Sequence, residues 1–242
     1  MKRVLSAIAV AGLVMTGTLS AEMLPETKGR AQVLRPVKMD VSPALRDIPV
    51  PPLKPFDARE IPNKTTPQRP ATPGTSEKIQ TTPGLPNTPD PLAGWVGLGS
   101  DDNQAIIGGR LMPPDTQGEI GKDHYIQWIN LVFAIWDKAG NKVYPPQPGP
   151  AGAAGNVLWS GFGGRCETDN SGDPITLWDP LAERWVMSQF AVDSTPFTQC
   201  VAVSTTSDPT GTWYRYAYAW PNSRFPDYPK LGVWTDGYYI TT

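Results

Sequence analysis

All nine tryptophans and all eight tyrosines of this 242-residue chain lie beyond Gly94, whereas 15 of its 28 prolines fall between Glu22 and Pro91. This division decides where a core can form. The proline-rich stretch holds a single aromatic, Phe56. Its prolines at Pro49, Pro51, Pro52 and Pro55, and its Thr-Pro steps at Thr66, Thr72, Thr82 and Thr88, favour extended polyproline-like backbone without the burial that offsets ordering entropy. Composition therefore places a disordered Pro/Thr-rich linker over 22–92 and the folded domain over 93–242. A polyproline ligand for a partner is the competing reading of the linker.

Within 93–242 the grammar is β. Tyr125 to Trp136 is a continuous run of β-branched and aromatic residues, expected to be one buried strand that turns at Asp137–Lys142 into Val143-Tyr144. The pattern returns as Ile175–Trp178, a turn at Asp179–Glu183, then Arg184–Phe190. It returns again as Cys200–Ser204, Ser207–Gly211 and Trp213–Tyr218, and as Gly232–Trp234, Thr235–Gly237 and Tyr238–Ile240. Strand, Asp-bearing turn and aromatic strand, repeated every few tens of residues, are what stacked antiparallel units produce, as in a β-propeller. A β-sandwich is the alternative. No amphipathic helix is expected.

The N-terminus sets Lys2 and Arg3 before an apolar run from Val4 to Met15 and closes on Leu19-Ser20-Ala21. That is the pattern of a signal peptide over 1–21, cut between Ala21 and Glu22, because the run is shorter than the ~20 residues a membrane span needs. The expected location is secreted, periplasmic or cell-surface, with no membrane span in the mature chain. Export also makes a disulfide available to the two cysteines, Cys166 and Cys200. A formal net charge of −2 leaves no basic footprint for nucleic acid.

Three motifs carry a resemblance. They are Pro113-Pro114-Asp115-Thr116-Gln117-Gly118-Glu119-Ile120-Gly121, Gly172-Asp173-Pro174 with Trp178-Asp179-Pro180, and Phe225-Pro226-Asp227-Tyr228-Pro229-Lys230-Leu231-Gly232-Val233-Trp234. Together they resemble an uncharacterised group of exported bacterial proteins with β-propeller-like domains. Such proteins run longer, so the resemblance implies a propeller incomplete at its C-terminus. More distantly, Thr206–Trp213 is similar to the Asp-box hairpin of sialidase-like propellers, with one extra residue between Asp208 and Gly211 and one missing before Thr212. An Asp-box is a folding device, and it leaves catalysis open.

Catalytic candidates are Asp115, Glu119 and Asp123, close in sequence to the sole histidine, His124. Ordinary turn chemistry accounts for the same residues. Asp169, Ser171 and Asp173 concentrate oxygen ligands as a calcium loop does, although the terminal bidentate Glu is absent; a solvated acidic turn is the plainer reading, and no other cofactor is indicated. Two functions stay open: binding of an extracellular ligand, with carbohydrate the leading class, and hydrolysis of glycans.

Overall fold

The computed structural model describes residues 34–50, 93–147, 150–221 and 224–242. The described residues are mostly β, and every strand pairing among them is antiparallel. The signal segment, the Ala21/Glu22 cleavage point and residues 22–33 and 51–92 of the linker lie outside the described residues.

One sheet is a meander of β2 (Gln117–Ile120), β3 (His124–Ile129), β4 (Val132–Asp137) and β5 (Lys142–Tyr144), with the short β6 (Ala153–Ala154) sharing the far edge of β4. The Tyr125–Trp136 run is thus two strands, not one. Asn130 breaks it, taking a left-handed φ of 45° and returning the chain so that Trp128 faces Phe133 and Ile129 faces Val132. Asn tolerates that conformation better than most residues, so a tight turn forms inside an apolar run without glycine. The next turn is pinned as expected: Asp137 Oδ1 accepts the amides of Ala139 at 2.9 Å and Asn141 at 2.8 Å.

The second sheet is a meander of β7 (Ile175–Asp179), β8 (Arg184–Ala191), β9 (Thr198–Ser204) and β10 (Trp213–Ala219). Its hairpins are closed by the same device. Asp179 Oδ1 accepts from Leu181 at 2.9 Å and Ala182 at 3.1 Å, and Asp208 Oδ1 accepts the Thr210 amide at 2.9 Å and hydroxyl at 2.8 Å. Behind the Asp208 turn Trp213 is fully buried, and its indole donates to the Pro209 carbonyl at 3.0 Å. A third, two-stranded unit joins β11 (Lys230–Trp234) to β12 (Gly237–Thr241). The first strands of the three units are neighbours: β2 lies beside β7, and β11 beside β7.

The compositional boundary at 92 does not hold for residues 34–50. They supply β1 (Lys38–Val41), which pairs antiparallel with the outer edge of β10, and Leu45, which is fully buried. Pro36 and Pro43 flank the strand rather than interrupt it, and an edge strand tolerates them there. A helix also forms, α1 (Ser100–Ile107), where none was expected. It is short and mostly polar. Its first turn is held by Asp102, whose carboxylate accepts the Gly99 amide at 2.7 Å, and it stops at Gly108 in the left-handed conformation.

The main core lies between the two meanders, where Trp128, Phe133 and Tyr144 of the first meet Trp185, Met187 and Trp213 of the second. Gly121 marks a close approach between them: a Cβ there would stand 2.4 Å from the Trp185 ring. A smaller cluster packs Ile106 and Ile107 of α1 on Ile129, Val132 and Trp136. Cys166, in the one-turn helix α2 (Arg165–Thr168), forms a disulfide with Cys200 of β9. Among the described residues no helix is long and apolar enough to cross a membrane.

Candidate functional site

Each of the three leading strands is preceded by a proline-and-aspartate turn: Pro113–Thr116 before β2, Gly172–Pro174 before β7 and Pro226–Pro229 before β11. In these turns Asp115, Asp173 and Tyr228 take positive φ values of 41°, 45° and 54°. Such sparsely populated backbone conformations cluster at functional sites, and here they recur at the same place in successive units. Because the strands that follow are neighbours, the turns meet. They enclose a cleft of about 220 Å³ lined by Asp115, Gln117, Asp173, Tyr228 and Lys230, among others.

The cleft side chains are held from behind. Asn130, the residue that splits the β3–β4 run, donates from Nδ2 to Asp115 Oδ2 and to the Pro113 carbonyl, both at 2.9 Å. Asp173 Oδ2 accepts the Tyr228 amide at 3.1 Å, linking the second turn to the third. The Lys230 ammonium sits 3.5 Å from the centre of the Tyr228 ring. Burial raises the pKa of Asp115, with Asp227 pushing the same way and Lys230 opposing. Burial likewise raises Asp173, reinforced by the charges of Asp115 and Asp227 and opposed by the Tyr228 amide and Lys230. Partly desolvated carboxylates that repel one another hold protons more readily than ordinary surface ones, and can both donate and accept hydrogen bonds.

The sequence candidates are redistributed. Asp115 stands at the start of β2, but Asp123 and His124 lie past its other end, roughly 13 Å of strand away, and Glu119 turns its carboxylate to the Ile120 amide at 3.1 Å. The four do not form one site. His124 opens β3 opposite Asp137, with Nδ1 buried and without a hydrogen-bond partner among the described residues. The calcium candidates also separate. Asp169 pairs with Arg165 at 3.1 Å and accepts from Thr168 at 2.6 Å; Ser171 donates to Asp193 at 3.0 Å; only Asp173 faces the cleft. Among the described residues no three His, Cys, Asp or Glu side chains gather in a metal-binding group.

The structure thus joins one catalytic candidate, Asp115, to one calcium candidate, Asp173, and adds Asp227, Tyr228 and Lys230, which sequence reasoning had given no role. A signal for this was present, since the three motifs behind the family resemblance are the three turns that line the cleft. A second hollow of about 240 Å³, lined by Ile48, Val50, Pro145 and Pro146 with Arg46 and Asp47, is poorer in chemistry. Its Arg46 is committed to Asp208 at 2.9 Å. Comparison with protein-family models, curated proteins and solved structures finds no match to this chain.

Proposed function

We propose that this is an exported β-propeller-like protein that binds an extracellular ligand, of the polyhydroxylated carbohydrate class, in the cleft where the turns before β2, β7 and β11 meet. The carrying observation is that Asp115, Asp173 and the Tyr228–Lys230 pair, from three successive units, line one cleft, with the charge of Asp227 felt by both acids. Two four-stranded meanders with adjacent first strands, and a two-stranded unit whose first strand also lies beside β7, support the propeller reading. Paired carboxylates beside Gln117 suit the alternating donors and acceptors of sugar hydroxyls. The signal-like N-terminus and the disulfide support export.

A second reading is favoured by the same pair. Asp115 and Asp173 are neighbouring carboxylates with raised pKa values, and a glycosidase needs one acid kept protonated beside one ionised partner. One experiment addresses both readings: glycan binding and release of reducing ends by the full chain and by Asp115→Asn, Asp173→Asn, Glu119→Gln and Asp123→Asn. Binding should weaken by about tenfold or more in the first two, equivalent to about 1.4 kcal/mol, and stay unchanged in the last two. Loss of binding confined to Glu119→Gln and Asp123→Asn would move the site to the other end of β2. Sugar release by the wild type that is abolished in Asp115→Asn would make the protein a hydrolase.

A further inference from the structure

Residues 34–50 are attached to the domain as a peptide ligand is attached to a sheet edge. Main-chain bonds run from the Val37 amide to Ala217, from Ser42 to Trp213, from Leu45 to Gly211 and from Arg46 to Thr210, all at 2.8–2.9 Å, bracketing the Lys38–Val41 pairing with β10. Side chains add selectivity at alternate positions. Asp40 accepts two bonds from Arg215, at 2.8 and 2.7 Å. The Ser42 hydroxyl accepts the Trp213 amide at 2.9 Å, and Leu45 is fully buried in the main core.

The receiving edge is shaped for this occupant. Arg215 is only 2% exposed, its other amino group is committed to the carbonyls of Leu158 and Ser160, and its guanidinium lies 5.2 Å from the centre of the Phe162 ring. Asp40 is its one carboxylate partner among the described residues. A strand placed here must bring an acid to that register position, because a buried cation stripped of its partner is costly. This is recognition by strand addition, with main-chain bonds giving affinity and alternate side chains giving specificity.

We infer that the β10 edge is a peptide-binding site whose ligand is the chain's own 34–50 segment, held without help from the covalent connection and replaceable by the same segment of a second chain. This does not depend on what the cleft binds. The test uses the full chain with a specific protease site inserted after Thr75 or, as a second version, after Gly84. After cutting, the N-terminal piece should co-elute with the remainder in size exclusion. A labelled peptide of residues 34–50 should exchange into the cut protein, and peptides carrying Asp40→Asn or Leu45→Ala should compete at least tenfold less well. Separate elution of the two pieces, aggregation of the remainder on cutting, or equal competition by the substituted peptides would each overturn the inference.

Discussion

At the scale of single residues, aspartates do two opposite jobs. Asp208 pins the β9–β10 turn; burial raises its pKa, but the hydrogen bonds from Arg46 and Thr210 win and the net shift is downward. A depressed folded pKa contributes stability that is present above the unfolded value, near 3.8, and is lost as pH falls through the lowered folded value. Asp208→Ala should therefore cost about 1–2 kcal/mol at neutral pH, through lost hydrogen bonds to a charged acceptor, and the gap from wild type should close in acid. Urea denaturation at several pH values checks both parts; a gap independent of pH would mean that the carboxylate charge is irrelevant to the turn. Asp115 and Asp173 are shifted the other way, so they weaken the fold where they ionise. Such a cost accords with the binding role proposed for the cleft.

At the scale of elements, what the sequence reveals depends on whether the signal is local. The Asp-capped hairpins were legible because the pinning residue and the turn it pins are within a few positions, as Asp137, Asp179 and Asp208 show. The split of the Tyr125–Trp136 run was not, because Asn130 gains its purpose from Asp115 and Pro113, residues of another turn. Strand β1 was hidden for a related reason. Its proline-rich neighbourhood lacks core-forming residues, and its stability comes from Arg215 and Trp213, more than 170 positions away. Helix α1 was missed because only its last turn carries bulky apolar residues, Ile106 and Ile107, while its caps are a glycine pair and one aspartate. The disulfide was legible by elimination. It ties α2 to β9 across a separation of 34 residues, so reducing it should lower stability by about 3–4 kcal/mol in the chain-entropy model. Guanidinium unfolding with and without reductant measures this; identical midpoints would show that the packing around Cys166 and Cys200 needs no bridge.

At the scale of the whole molecule, repetition matters more than any one motif. Three units begin in the same way, with a proline, an aspartate and a residue at positive φ, and their first strands are neighbours, so three weak local signals become one cleft. Sequence reading saw turn chemistry at the first two, took the third only as a motif, and grouped Asp115 with its chain neighbours Glu119 and Asp123. The fold instead sends those neighbours toward the far end of β2 and brings Asp115 to Asp173, with Asp227 within electrostatic reach of both. Asp115 and Asp173 thus form one electrostatic site. Carboxyl-carbon NMR of Asp173 as a function of pH, in the wild type and in Asp115→Asn, tests it most directly. The midpoint should lie above the ordinary value of 3.8 and fall when Asp115 loses its charge. A midpoint at or below 3.8 that ignores the substitution would mean that the two acids are electrostatically independent.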